Sequence, residues 1–272
     1  MRTPIITPLS SRRSNADVAC GVTGRIAGSV AAQARSSNAR IIELPVVPNA
    51  RHLGGLPTPD GVTCFHDIVR SGMLTGLLPA GADRLNSMGI RTVIDIWTAD
   101  ERTLAPEPNL TLFGLTQRWI PLVEHDPAPR GVNLEYGHAG FLWMYQNFLE
   151  YGRAAMVELV RILANTESGV LYHCWGGQDR TGLVTAALLS LVGVPDDAII
   201  ADHSLSVTLE KLAERGITGM AAAQRVSAPS RGMEALLGMV RERWGGVAGY
   251  LAEAGSTAPE IQAIREKAVR PR

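Results

Sequence analysis

Lysine is almost absent from this sequence. Lys211 and Lys267 are the only two lysines among 26 basic residues, so the other 24 are arginines. Arginine suits planar oxyanions because its guanidinium forms paired hydrogen bonds, although a coding bias explains a chain-wide excess more simply. The 26 acidic residues balance the basic ones. The lack of net charge therefore gives no reason to expect a nucleic-acid partner.

Long apolar runs and a regular cysteine pattern are also missing. No run reaches the roughly 20 residues that a membrane-spanning helix needs, so we expect no membrane insertion. The three cysteines, Cys20, Cys64 and Cys174, have irregular spacing. They match neither a disulfide framework nor a zinc pattern. Free thiols fit a reducing compartment, and we expect a cytoplasmic protein.

The first 40 residues differ in composition from the rest. They are rich in Ser, Ala, Arg and Gly, and their six arginines face a single acid, Asp17. No continuous apolar core follows the basic residues, so the pattern is not that of a signal peptide. We expect residues 1–40 to form a flexible basic extension and residues 41–272 to form one folded domain.

Strand and helix patterns alternate along the remaining chain. Apolar and β-branched residues predict strands at 91–97, 117–123 and 169–173. Helical patterns occur at 136–164, as one long helix or two short ones, at 181–192, and repeatedly from 196 onward, with breaks at Gly216, Pro229, Gly245-Gly246 and Gly255. Strands that alternate with helices indicate an α/β fold with a helical C-terminal part.

Residues 173–182, His-Cys-Trp-Gly-Gly-Gln-Asp-Arg-Thr-Gly, join a predicted strand to a predicted helix. A loop of this length can turn its backbone N–H groups around an anion, and the helix N-terminus adds partial positive charge. Gly176 and Gly177 permit tight curvature and positive φ. The same dipoles stabilise a thiolate at Cys174, and Arg180 can bind two oxygens of a phosphate.

These residue types at this spacing predict covalent hydrolysis of a phosphomonoester. Cys174 is the expected nucleophile, and Arg180 is the expected phosphate clamp. Asp179 is the first candidate for the acid that protonates the leaving alcohol; the alternative is a carboxylate that only braces Arg180. Thr181 is expected to donate its hydroxyl to the sulfur when the sulfur departs in the second step.

The spacing alone proves little, because Cys64 and Arg70 repeat it. The interior of that second segment, Phe-His-Asp-Ile-Val, contains no glycine. Its two adjacent β-branched residues favour an extended chain. We therefore predict that Cys64 is a buried structural thiol and that only the segment at Cys174 forms an anion-binding loop.

Several motifs together resemble the protein tyrosine phosphatase superfamily, and more closely its bacterial group with dual-specificity and phosphoinositide-active members. The loop is similar to that group's His-Cys-x-x-Gly-Lys-Asp-Arg-Thr-Gly signature. Further similar segments are 49–55, 70–72, 92–96 with Glu101, and 202–206. The resemblance implies a phosphatase catalytic domain with a central, largely parallel sheet flanked by helices. It also implies a phosphocysteine intermediate, with no metal and no other cofactor.

Four positions depart from the group's pattern. Gln178 stands where the group has Lys, which removes a positive charge, and His52, Trp97 and His203 replace Asp, Arg and Tyr. Trp175 fills a variable loop position. A less charged, more aromatic pocket predicts a singly phosphorylated substrate rather than a polyphosphorylated lipid. Phosphotyrosine-like groups, on a protein or alone, and small metabolites such as nucleoside or sugar phosphates both fit. The competing hypothesis is a catalytically weak phosphate-binding module.

The remaining site predictions are secondary. His173 is expected to orient the loop by hydrogen bonding to the backbone. Arg51 is expected either to steer phosphate or to form an ordinary surface ion pair. Asp126 is the second candidate for the general acid, because it lies in a proline-containing loop after a strand, where other superfamily members hold a mobile acid. The residues expected to line the substrate site are His173, Trp175, Gly176, Gly177, Gln178 and Arg51.

Overall fold

The structure is a computed structural model that describes residues 39–125, 137–207 and 219–269. Residues 1–38, most of the predicted extension, and Asp126 lie outside the described residues. The strands in the described part are β1 (Arg51–His52), β2 (Pro57–Thr58), β3 (Gly61–Val62), β4 (Ile68–Ser71), β5 (Ile90–Asp95), β6 (Thr116–Trp119) and β7 (Gly169–His173). The α-helices there are α1 (Pro79–Ser87), α2 (Ala99–Leu104), α3 (Gly137–Tyr151), α4 (Arg153–Asn165), α5 (Asp179–Leu191), α6 (Asp196–Ser204), α7 (Gly219–Trp244), α8 (Val247–Ala254) and α9 (Ala258–Val269).

Five strands form one sheet in the order β1-β4-β7-β5-β6, and β2 pairs separately with β3. β4, β7, β5 and β6 run parallel to one another, whereas β1 is antiparallel to β4. Parallel neighbours require crossover connections, which are usually helical. This topology confirms the predicted α/β fold with a central, largely parallel sheet flanked by helices.

The two faces of the sheet are covered by different elements. On β7, Leu171 packs in one cluster with Leu85 of α1, whereas Val170 and Tyr172 pack in a larger cluster with α3, α4 and α5. Successive side chains of a strand point to opposite faces, so the sheet is buried on both sides. The apolar run predicted as a helix becomes α5, whose residues are nearly all buried.

The register of the central strands positions the loop that follows them. Ser71 at the end of β4 and Asp95 at the end of β5 both lie opposite His173 at the end of β7. The carboxyl ends of three parallel strands therefore meet at one edge of the sheet, where ligands of open α/β sheets bind. Cys174 starts its loop from the middle strand of these three.

Two sequence predictions differ from the fold. The strand expected at 117–123 ends at Trp119, because Pro121 has no N–H for a regular ladder. The break expected at Pro229 is absent, since α7 continues through that residue. Helix packing offsets the lost hydrogen bond: at Gly232, an added Cβ would lie 2.6 Å from Phe141 Cβ of α3. Within the described ranges, no helix is both long enough and apolar enough to span a membrane.

Candidate active site

Outside contacts hold the loop after β7 in shape. Three successive carbonyl oxygens of the loop accept hydrogen bonds from other segments. The donors are Met73 N for Trp175 O (3.0 Å), Asn49 Nδ2 for Gly176 O (2.7 Å) and Arg70 Nη2 for Gly177 O (2.6 Å). In a trans peptide the next N–H points opposite to the carbonyl. Three adjacent amides, those of residues 176–178, therefore point away from these donors, as in an anion-binding nest.

The two loop glycines are not equivalent. Gly177 has a φ of 66°, which is unfavourable for other residues. An added Cβ there would lie 2.5 Å from Gly72 N and 2.6 Å from Ser71 C. Gly176 has no positive φ, and nothing lies within 4 Å of an added Cβ. The expected need for glycine therefore holds at Gly177 alone.

Cys174 lies at the carboxyl end of β7 and is 3% exposed. It is a free cysteine. The helix α5 begins five residues later, at Asp179, with Gln178 as its N-cap residue. The structure thus brings the predicted nucleophile and the amides of the loop to the N-terminal end of one buried helix, as the sequence predicts.

The second Cys–Arg segment forms no such loop. Its last residues lie in strand β4, which ends just after Arg70, so the predicted extended conformation is confirmed. Cys64 is buried, at 6% exposed, as expected.

Arg180 is paired with a residue to which the sequence analysis gave no role. Its Nη1 and Nη2 donate to Glu101 Oε2 and Oε1, both at 2.5 Å. Arg180 is 8% exposed. The pair occupies the end-on fork of the guanidinium. A guanidinium also has a side-on fork, formed by Nε–H and a second hydrogen of Nη2, which has the geometry to bind a phosphate.

Glu101 is itself held in place by the start of α2. Thr98 is the N-cap residue: its side chain accepts a hydrogen bond from Glu101 N, and Glu101 Oε2 accepts one from Thr98 N at 3.0 Å. Burial would raise the pKa of Glu101, but the hydrogen bonds from Arg180 and Thr98 hold it below its ordinary value. The Thr-x-x-Glu spacing of a capping box is the signal that could have marked this residue.

Asp179 lies next to a buried tyrosine. Tyr145 Oη donates to Asp179 Oδ1 at 3.2 Å and lies 3.0 Å from His203 Nε2. Asp179 is half-buried at the first turn of α5. Neither Tyr145 nor its contact with Asp179 could be found from the sequence, because the two residues are 34 positions apart.

Thr181 and Gln178 occupy less exposed positions than the loop tip. Thr181 is fully buried, and its Oγ1 lies 3.5 Å from Ser71 O. Gln178 is half-buried, and its carbonyl accepts from Gly182 N at 2.7 Å. Gln178 thus stands beside the loop amides and brings no charge to them.

Arg51 lies in a buried ion cluster that supports the loop from behind. Its guanidinium is 2% exposed and donates to Asp202 and to Ser206. Arg40 and Arg70 contact the same carboxylate, at 2.6 and 3.1 Å. Burial would raise the pKa of Asp202, but the three arginines hold it far below its ordinary range. Arg51 thus forms ion pairs, one of its two predicted roles, but it does so in the interior and not at the surface as expected.

His173 is fully buried and lies behind the loop. Burial lowers its pKa to about 3, so the ring is neutral near pH 7. Its Nε2 lies 3.5 Å from Glu107 Oε2. Burial raises the pKa of Glu107 to about 7. The carboxyl of Glu107 accepts hydrogen bonds from Leu74 N and from Gln117 Nε2, and it thereby connects the segment after β4 to strand β6.

An aromatic stack borders the loop. Trp175 is 38% exposed and its ring lies 5.4 Å from that of Trp97, centroid to centroid, with the planes 32° apart. Trp97 is fully buried and meets His173 edge-on at 5.7 Å. Of these two tryptophans, Trp175 is therefore the one that presents an aromatic surface at the mouth of the site, while Trp97 supports it from below.

Comparisons with known sequences match the family that the motifs resemble. A sequence model of the Tyrosine phosphatase family matches residues 42–270. The chain is 27% identical over 221 residues to a tyrosine-protein phosphatase of Nostoc commune, and the match covers 72% of each chain. It is 25% identical over 247 residues to the triple specificity protein phosphatase PtpB of Mycobacterium tuberculosis, covering 73% of this chain and 89% of that one.

Solved phosphatase structures are similar at lower levels. TpbA of P. aeruginosa is 18% identical, with 79% of this chain and 96% of that chain covered and a TM-score of 0.33. The core catalytic domain of the PP-IP phosphatase SIW14 from S. cerevisiae is 13% identical, with 69% and 86% covered and a TM-score of 0.38. Both scores are below 0.5, so the fold assignment depends on the strand order and register described above.

Proposed function

Because the chain belongs to the tyrosine phosphatase family and is a phosphatase, we propose that it hydrolyses phosphomonoesters through a covalent intermediate on Cys174. The observation that carries this proposal is the orientation of the loop. Three of its carbonyls are held from outside, so its amides form a row of donors beside the free cysteine. Such pre-set donors stabilise charge that develops on phosphate oxygens.

The first chemical step transfers the phosphoryl group to sulfur. The Cys174 thiolate attacks phosphorus, an S–P bond forms, and the P–O bond to the leaving group breaks. Asp179 in its protonated form gives its proton to the leaving oxygen. The loop amides and the side-on fork of Arg180 bind the equatorial oxygens. Glu101 holds the guanidinium in the orientation that presents this fork.

The second step releases phosphate. A water molecule attacks the phosphocysteine, the S–P bond breaks, and the Asp179 carboxylate accepts the proton from water. The electron pair of the broken bond returns to Cys174 sulfur, and the hydroxyl of Thr181 is assigned to stabilise it. Asp126 is the alternative acid; it lies outside the described residues, and Asp179→Asn against Asp126→Asn distinguishes the two.

The substrate that the site supports best is a singly phosphorylated organic molecule. Trp175 offers one exposed aromatic surface for a flat group such as a phosphotyrosine ring or a base. Gln178 brings no charge for a second phosphate. A nucleoside or sugar phosphate fits the same description. A panel of phosphotyrosine peptide, nucleoside monophosphates and phosphoinositide vesicles tests this point, and a clear preference for the phosphoinositides would overturn it.

The mechanism has its own test. Cys174→Ser is expected to abolish turnover of an aryl phosphate while the variant still binds inorganic phosphate or vanadate. Retention of full turnover in Cys174→Ser would refute the covalent mechanism. The competing hypothesis of a binding module without catalysis predicts no turnover in the unaltered protein, and family membership argues against it.

A further inference from the structure

Three side chains form a hydrogen-bonded row that runs from the core to the loop. Tyr145 Oη lies 3.2 Å from Asp179 Oδ1 and 3.0 Å from His203 Nε2. The three residues belong to three different helices, α3, α5 and α6. Tyr145 is fully buried and His203 is 3% exposed. Water does not compete for these contacts as it does at a surface.

Packing leaves the tyrosine ring little freedom. Its ring centroid lies 6.1 Å from that of Phe141 and 5.9 Å from that of His203, which it meets edge-on at 82°. His203 is wedged against α5, because a Cβ added to Gly182 would lie 2.5 Å from His203 Nδ1. The Tyr145 hydroxyl is therefore a fixed donor placed at the first residue of α5.

The chemistry of the row sets the direction of its hydrogen bonds. A phenol has one hydrogen to donate, and an ionised carboxylate only accepts. Tyr145 therefore donates to Asp179, and it accepts from His203 when Nε2 carries the imidazole hydrogen. Burial, followed by the Asp179 charge, raises the pKa of Tyr145 well above 10, so the phenol keeps its hydrogen. Burial lowers the pKa of His203 to about 3, so the imidazole is neutral.

The hydrogen bond from Tyr145 to Asp179 persists when Asp179 is protonated. When Asp179 carries a proton on Oδ2, Oδ1 is a carbonyl oxygen and still accepts from Tyr145. In this state the transferable proton lies on Oδ2, the oxygen that does not accept from Tyr145. Proton transfer in a phosphatase depends on such orientation, because misplacement by about 1 Å can cost roughly 100-fold in rate.

We propose that Tyr145, itself oriented by His203, is a positioning residue that aims the Asp179 carboxyl at the leaving oxygen. This inference rests on the proposed role of Asp179 as general acid. If the tyrosine only filled the core, loss of its hydroxyl would change kcat/KM for every substrate by the same factor. A positioning residue affects the substrates whose leaving group needs a proton and spares those that leave without one.

The test uses Tyr145→Phe, which removes the hydroxyl and keeps the ring. The substrates are phenyl phosphate, whose phenolate leaves poorly, and 2,4-dinitrophenyl phosphate, whose phenolate leaves without a proton. We expect kcat/KM for phenyl phosphate to fall about 10-fold, a part of the roughly 100- to 10,000-fold that a general acid supplies. The value for the dinitrophenyl ester should change by less than about 2-fold. Equal losses on both substrates, or none, would overturn the inference.

Tyr250→Phe is the matched control. Tyr250 of α8 is 1% exposed, and its hydroxyl donates to Leu149 O. Leu149 belongs to α3, as Tyr145 does, but this hydrogen bond does not involve the loop. We expect this variant to show no difference between the two substrates. His203→Gln, which keeps a polar atom near the Nε2 position, should retain more phenyl phosphate activity than His203→Leu. The opposite order would contradict the role of His203.

A further pair of variants separates this inference from the proposed function. Asp179→Asn should show the same selective loss as Tyr145→Phe, but a larger one. The double variant should lose no more than Asp179→Asn alone, because Tyr145 acts through Asp179. If Asp179→Asn shows no selectivity, the proposed general acid is wrong. If Asp179→Asn is selective and Tyr145→Phe is not, only the positioning role fails.

Discussion

Glu101 and Arg180 are 79 positions apart in the sequence, and the Glu101 carboxylate holds the Arg180 guanidinium end-on through two contacts of 2.5 Å. The capping box at Thr98 fixes the carboxylate in turn. This arrangement fixes the orientation of the guanidinium, and in the proposed mechanism it makes the start of a short helix part of the phosphate site.

Glu101→Gln is therefore expected to lower kcat/KM about 10- to 100-fold, because a guanidinium that is not aimed binds phosphate oxygens less well. The affinity for inorganic phosphate as a competitive inhibitor should fall as well. Steady-state kinetics on an aryl phosphate measures both quantities. Glu158→Gln is the control, since Glu158 pairs with Arg161 at the exposed surface. A similar loss of kcat/KM in this variant would show that Glu101 has no specific role in orienting Arg180.

Gly177→Ala should reduce kcat/KM by about 100-fold, because the positive φ and the 2.5 Å approach to Gly72 N would force the loop amides out of line. Gly176→Ala should stay within about 3-fold, since nothing lies within 4 Å of the added methyl group and exposed substitutions cost little. Steady-state kinetics of the two variants tests this prediction. Equal values of kcat/KM would mean that the activity does not depend on the loop geometry at Gly177.

Asp202→Asn should lower the free energy of unfolding by about 3–5 kcal/mol, because the buried guanidiniums of Arg40, Arg51 and Arg70 would lose their common counter-charge. Urea unfolding followed by circular dichroism measures the change. Asp196→Asn, which breaks the exposed pair with Arg241, should cost less than about 1 kcal/mol. A small effect at Asp202 would show that the cluster is not held by this carboxylate.

The free energy of unfolding should fall as the pH drops from about 6.5 towards 5. The pKa of His173 and of His203 is lowered from 6.5 to about 3 by burial, so in this range the unfolded chain binds more protons than the folded one. Glu107 opposes this trend, because burial raises its pKa from 4.5 to about 7 and the folded chain there binds the extra proton. The two histidines together outweigh the single carboxyl.

Urea unfolding at a series of pH values measures this dependence. His203→Gln should make the decline shallower, because it removes one group that protonates on unfolding. Glu107→Gln should make the decline steeper, because it removes the opposing group. The reverse order of the two slopes would contradict the protonation states assigned to these buried side chains.

The family and the local structure of the proposed active site could be predicted from the sequence because the segments that carry them are local. The strand β7, the loop from Cys174 and the helix α5 are continuous in the chain, and each has its own pattern: a short apolar run, paired glycines, and a long apolar helix. The alternation of strands and helices likewise predicts the parallel sheet, since each element carries its periodicity in its own residues.

Only the tertiary structure decided which distant side chains complete the site. Glu101 meets Arg180, Tyr145 meets Asp179, and Arg51 turns inward to Asp202 because the sheet register and helix packing bring them together. No local pattern encodes those distances. Residue types therefore determined the loop chemistry proposed for Cys174 and Arg180, while long-range packing determined which residues contact that loop.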